Sequence, residues 1–333
     1  TGVPAGHTRY DNASLAALVV RLTHEMEWGA ARPHLVRYER PVRVSLSGPG
    51  SNQYRGFLTD YLALLARETG IDIAPAPPGT RANLAVRFVP GPRFEARFRD
   101  AACLVAAGDV GWQDFLADPS GHDGRALARL SRIEALTVFM PLTAPPHLLR
   151  GCMIEEIAQA LGPANDLYDL GPSIFNDDAA HVWPTRLDLL MLGVLYAPEL
   201  RTGLSRAETE RRARAALDRL NPEGRAAPPL SLAPPGALAP WRRVTLAVFA
   251  RGISPAERRR RADRGARIAM ATLADTAADC HARLTLGRVL RESDAGAALP
   301  VLAEAARICR SVHGAGDIRL ARIASERAAA ELA

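Results

Sequence analysis

The chain contains no lysine: all 42 basic residues among its 333 are arginine. A bias that complete is read as the codon usage of a GC-rich genome rather than as selection for guanidinium chemistry, so arginine-rich stretches carry no specific nucleic-acid signal. The densest, Arg258 to Arg261 with Arg264 and Arg267, falls in a helix expected to begin after Ser254-Pro255, where serine caps and proline suits the first turn. It is read as a solvated face. A net charge of +6 permits contact with anionic lipids, envelope polymers or nucleic acid and selects none of them.

Other absences exclude more. No apolar run approaches the roughly 20 residues that span a bilayer. There is no glycine-rich phosphate loop, no G-x-S-x-G elbow, no cysteine–histidine constellation and no C-x-x-C pair, so the motif-borne forms of nucleotide, serine-hydrolase and thiol chemistry find no support. The chain starts at Thr1 rather than methionine, which a cleaved signal peptide would explain, and export is expected. In that setting the four cysteines read most economically as two disulfides. Cys103 with Cys152 would tie a strand to the helix discussed below, and Cys280 with Cys309 would staple a helical pair; four buried thiols in a reducing compartment is the alternative.

What is present is enough apolar residue, 48%, for one sizeable core plus an appendage. Helical spacing runs from Ser14 to Trp28, from Gly56 to Thr69, from Thr185 to Tyr196 and from Ser205 to Leu220, the last with Ser205 and Glu208 in capping-box positions. Strand patterns occupy Val42 to Leu46, Leu84 to Val89, Ala102 to Ala106 and Ala135 to Met140. Pro222 to Pro240 holds six prolines and reads as a linker. Beyond Trp241 the pattern is helical and alanine-rich, with Gly287, Gly296 and Gly314 as punctuation; it resembles tetratricopeptide-like helix pairs without a repeat of the expected period.

The run from Cys152 to Asp177, CMIEEIAQALGPANDLYDLGPSIFND, holds the functional question. A zincin places H-E-x-x-H on a helix, where residues four apart share a face and two imidazoles grip one metal while the glutamate activates water. The extended pattern adds x-x-G-x-x-H, glycine turning the chain so that a third histidine reaches the ion. Here the ligand slots hold Glu155, Gln159 and Asn165, and the general-base slot keeps a carboxylate, Glu156. Farther on, Ser173-Ile174-Phe175-Asn176-Asp177 stands where a metzincin has its methionine turn, with Phe175 in the methionine position.

The E-E-x-x-Q-x-L-G-x-x-N-D stretch, with the Ser173 to Asp177 segment, Leu187-Asp188-Leu189-Leu190 and Leu195-Tyr196-Ala197-Pro198, resembles an uncharacterised bacterial family of predicted secreted or lipoprotein zincin-like proteins, DUF2927. The resemblance covers roughly Pro41 to Gly203. It implies an α+β fold, a zincin-like mixed sheet packed on helices with a degenerate active-site helix, followed by an all-α C-terminal extension. The expected division is an N-terminal helical segment (1–35), the zincin-like domain (36–221), the proline-rich linker (222–240) and the extension (241–333).

Chemistry weakens the zinc reading, since a carboxylate and two amide oxygens make a poor zinc site. Oxygen donors suit calcium better, and Glu155, Asn165, Asp166, Asn176 and Asp177 form a candidate set, although their spacing matches no EF-hand. Ser173 and Phe175 complete the expected cleft. His147 and His181 flank the motif without ligand spacing. Three readings follow: a pseudo-peptidase that keeps the cleft to bind a peptide or protein, an envelope-assembly component docked through its helical tail, or a divergent hydrolase of peptides or envelope polymers with Glu156 as base. A noncatalytic binding or assembly role is preferred over a standard zinc protease.

Overall fold

Alternation of apolar and polar residues makes Val42–Ser47 strand β1, one of five in a single sheet of the computed structural model. The structure describes residues 10–26, 31–98, 101–176, 181–230, 232–233, 237–250 and 252–333. The other strands are β2 (Ile73–Pro75), β3 (Leu84–Val89), β4 (Leu104–Ala107) and β5 (Leu136–Pro141), in the order β2-β1-β3-β5-β4. Neighbours run parallel except β4, which is antiparallel to β5 and ends the sheet. Parallel strands need cover on both faces. Accordingly every residue of β5 is buried.

The helices of the first compact unit are α1 (Asn12–His24), α2 (Arg55–Thr69), α3 (Gly91–Arg97), α4 (Trp112–Ala117), α5 (Gly124–Ala128), α6 (Pro146–Ala160), α7 (Arg186–Leu195) and α8 (Arg206–Leu220). Helix α6 lies against β5 and β4, and α2 against β2 and α7. Helix α1 packs on α8 in this same unit. It starts earlier than its apolar spacing suggests because the Asp11 carboxylate accepts from the Ala13 and Ser14 amides. It ends at His24; Trp28 lies outside the described residues. Ser205 and Glu208 cap α8 reciprocally, as expected. The proline-rich stretch that follows α8 opens on a 3-10 turn at Pro222–Arg225. The short α3 and α4 carry Phe94, Trp112 and Phe115 into a secondary core with Phe139 of β5. They are too short for periodicity to reveal.

The second unit comprises α9 (Ala239–Leu246), α10 (Pro255–Thr272), α11 (Ala277–Arg291), α12 (Ala295–His313) and α13 (Ile318–Glu331), together with Tyr168–Pro172 and, among the described residues beyond it, Asn176 and His181. Successive helices from α10 onward pack on one another. Gly287 does not punctuate them: it lies inside α11, where a Cβ would sit 2.4 Å from Leu302 Cδ2. Gly296 is the second residue of α12, beside the α11–α12 break, and Gly314 caps the end of α12. The basic run of α10 is internally answered, Arg260 and Arg261 by Glu257, Arg258 by Glu292, Arg259 by Asp294 and Arg267 by Asp263. Such exposed pairs add little stability. They offset part of the charge on the face.

The fold is α+β, and no helix among the described residues is long and apolar enough to cross a membrane.

Candidate functional site

Helix α6 begins on Pro145 and Pro146, which suit a helix start because their missing amide would have had no helical partner. It is buried round most of its circumference, through Leu149, Cys152, Met153, Ile154, Glu156, Ile157, Ala158 and Ala160. It is therefore a core helix. Glu156 shares the four-residue stripe of Cys152 and Ala160 and is 8% exposed, whereas Glu155 and Gln159 fall on a half-buried stripe.

Three groups from other elements secure carbonyls of this helix and of its exit. The Tyr61 hydroxyl donates to Ile154 O at 2.9 Å, Tyr196 to Leu161 O at 2.8 Å and Arg32 Nη1 to Gly162 O at 3.1 Å. Burial raises both tyrosine pKa values, so the hydroxyls stay protonated donors. Burial lowers Arg32 to about 10, leaving it charged at neutral pH beside the helix C-terminus, where the backbone dipole favours a cation. Gly162 turns the chain at φ +138°; a Cβ there would lie 2.9 Å from Leu195 Cδ2 and 3.0 Å from Val36 O. Only glycine fits without displacement.

Most of the expected site residues are engaged in holding this loop. Gln159 Nε2 donates to Asp166 Oδ1 at 2.7 Å, and Asn165 Nδ2 donates to Arg21 O at 3.0 Å. Ser173 and Phe175 are fully buried, and the Leu167 amide donates to Phe175 O at 2.9 Å. Asp166 and Asn176 are also buried; Asn176 belongs to the helical unit, where its amide donates to Leu170 O. Asp177 lies outside the described residues. Most of these side chains are thus turned to hydrogen bonds within the protein, as buried polar groups require, although Asn176 Oδ1 is buried without a hydrogen-bond partner. A cavity of about 190 Å³ bounded by Val44, Arg55, Thr59 and Thr80 contains none of them, nor does one of about 640 Å³ bounded by Ala31, Pro33, Arg125 and Arg129.

The turn itself rests on Asp188, which is wholly buried in α7. Its Oδ1 accepts from Ser173 Oγ at 2.5 Å, and its Oδ2 from the Ile174 amide at 3.1 Å, the Thr185 amide at 2.7 Å and Thr185 Oγ1 at 2.9 Å. Burial raises the Asp188 pKa against the pull of these donors. His147 is exposed, and His181 sits in the helical unit 3.9 Å from Asp317. Among the described residues, no three His, Cys, Asp or Glu side chains gather as a metal-binding group.

A different feature faces outward. The Gly108 amide donates to Ala135 O across the β4–β5 ladder, while the Ala107 amide donates away from it, to His122 O, and the Ala107 carbonyl meets His122 Nδ1. Antiparallel pairing alternates. The Val105 amide and carbonyl therefore also point away from β5, along an edge that no further strand covers among the described residues. A disulfide joins Cys103, just before β4, to Cys152 of α6; Cys280–Cys309 joins α11 to α12. The arrangement presents backbone hydrogen-bonding groups on a strand fixed to the motif helix.

Tyr61 and Arg32 escape motif reading; Asp188 and Tyr196 stand in segments that carry the family resemblance, but their anchoring roles do not show there. For Asp188 a signal existed, since Thr185-x-x-Asp188 is a capping box that the structure forms. The others bond to backbone carbonyls, which no residue pattern records.

A family model for a protein of unknown function, DUF2927, matches residues 12–215, from the first residue of α1 into α8. The chain belongs to that family. No curated protein and no solved structure matches it.

Proposed function

We propose that this DUF2927 protein is an exported, zincin-like pseudo-peptidase that binds an extended peptide or protein segment along the outer edge of β4. The observation that carries the reading is the outward-facing backbone of Val105 on an antiparallel edge strand tied by Cys103–Cys152 to α6. An extended ligand adds to such an edge as one more strand, its main chain supplying affinity. The zincin-like reading is supported by a mixed sheet backing the motif helix, the left-handed Gly162 turn and the buried Ser173–Phe175 turn. The noncatalytic reading is supported by the engagement of the Gln159 and Asn165 amides in protein hydrogen bonds. Export is supported by the two disulfides.

One observation favours a divergent hydrolase instead: Glu156 lies on the Cys152 stripe, the side of α6 bonded to the β4 strand.

A peptide library incubated with the full chain, read by mass spectrometry for both capture and cleavage, separates the two. Binding without cleavage is expected. It should weaken about tenfold in Val105→Pro, which removes an edge donor worth about 1.4 kcal/mol without touching the β5 ladder, and persist in Glu156→Gln. Cleavage abolished by Glu156→Gln, with one transition metal per chain by elemental analysis, would establish the hydrolase. Capture indifferent to Val105→Pro would remove β4 as the site.

A further inference from the structure

The helical unit contains more than helices. Residues 168–172 come from the loop after α6, yet they belong to the helical unit, Tyr168 packing with α9, α10 and α11. Tyr168 is 3% exposed and shares a cluster with Trp241, itself fully buried, and with Ala269, Leu273, Ala278 and Ala282. Its ring meets Trp241 edge-on with centroids 4.9 Å apart, and His281 at 5.7 Å. The guanidinium of Arg242 lies 5.4 Å from the Tyr168 centroid. The next residue, Asp169, accepts the Ala233 amide through Oδ2. Downstream, His181 Nε2 is 3.9 Å from Asp317 Oδ2, and Asp317 is itself held by Arg319 at 2.9 Å.

Each contact is of a kind used to read a short peptide. Edge-to-face rings and a cation select an aromatic side chain. A backbone donor selects the carboxylate that follows it. We propose that the helical unit is a peptide receptor for an aromatic–acidic pair, filled in cis by Tyr168-Asp169 of the chain's own loop. His181, farther along the chain, approaches Asp317 only to 3.9 Å, beyond hydrogen-bond distance, so the Tyr168-Asp169 pair is the whole of the motif. This receptor holds residues 168–172, and it does so independently of any ligand at β4. The alternative is that Tyr168 is an integral part of the helical core.

Hydrogen exchange on the full chain with Tyr168→Ala distinguishes them. For a receptor, exchange at residues 168–172 should accelerate at least about tenfold while α11–α13 keep their protection. The peptide NDLYDLGP, copied from residues 165–172, should then bind the variant at millimolar concentration and restore protection around Trp241. Its tyrosine-to-alanine counterpart should not. Loss of protection throughout α9–α13 would show Tyr168 to be core and overturn the proposal. So would unchanged exchange at 168–172, or a protected helical unit that ignores the peptide. Asp169→Asn, which leaves the ring in place, provides a gentler check: faster exchange at Ala233 is expected, and no change there counts against the receptor.

Discussion

Removing the Asp188 carboxylate should strongly destabilise the first unit, and replacing it with an amide should do so far less. Asp188→Ala leaves the Ile174 and Thr185 amides and the Ser173 and Thr185 hydroxyls without their acceptor in a fully buried site. Each unsatisfied donor costs about 1–3 kcal/mol. Relief of the carboxylate's own desolvation and rotation of the two hydroxyls offset part of that, giving an expected loss of about 3–5 kcal/mol. At roughly 2–4 °C per kcal/mol this is a fall in Tm of about 6–20 °C. In Asp188→Asn the amide oxygen can take the Oδ2 position and keep three donors, while its NH2 faces Ser173 Oγ. The expected cost is about 1–2 kcal/mol.

The comparison also has a pH signature. Burial holds the Asp188 pKa above its ordinary value, so as pH rises the unfolded chain ionises first. The stability attached to this group is fully present below the unfolded pKa and declines as pH climbs to the folded one, by about 1.4 kcal/mol for each pH unit that separates the two. Asparagine does not titrate. The penalty of Asp188→Asn should therefore be larger near about pH 3 than near about pH 7. Urea denaturation across pH, with hydrogen exchange at Ile174 and Thr185, measures both effects. Equal losses in the two variants, or an alanine penalty below about 1 kcal/mol, would refute the claim that Asp188 anchors the turn.

Two further outcomes concern the exit from α6 and its tether to the sheet. Gly162→Ala, at φ +138° with a Cβ 3.0 Å from Val36 O, should destabilise by about 2–5 kcal/mol through strain and overpacking, read by urea midpoint; a neutral result would mean that the turn yields. Paired alanine replacement of Cys103 and Cys152, 49 residues apart, should cost roughly 4 kcal/mol of loop-closure entropy. Calorimetry of the double variant tests this, and an unchanged Tm would show that packing alone fixes α6 to β4.

Much of the architecture was legible in the chain. Val42, Leu84 and Leu136 open strands where β patterning places them, and Ser205 and Ser254 cap helices as their sequence contexts require. These are local effects, set by side-chain periodicity and by orphan amides at helix ends. The α+β class and the family motif were likewise readable. What escaped were short helices stabilised by tertiary aromatic packing, such as α3 and α4, and glycines serving close approach. Gly287 reads as a break because glycine is a poor helix former, yet contact with Leu302 outweighs that propensity.

The site divides along the same line. The sequence alone determined which polar groups α6 and its loop carry, and that the histidines of a zinc-binding helix are missing. It could not determine where those groups turn, because hydrogen-bond partners are brought together by the fold rather than by spacing. Gln159 meets Asp166, Asn165 meets Arg21, and Asp188 gathers Ser173, Ile174 and Thr185 only once α1, α6 and α7 have packed. Strand order alone put β4 at the edge, and alternation of its ladder aimed Val105 outward. Tertiary structure decided these features because burial penalises every unpaired polar group, and the chain resolves that penalty with whichever neighbour the fold supplies.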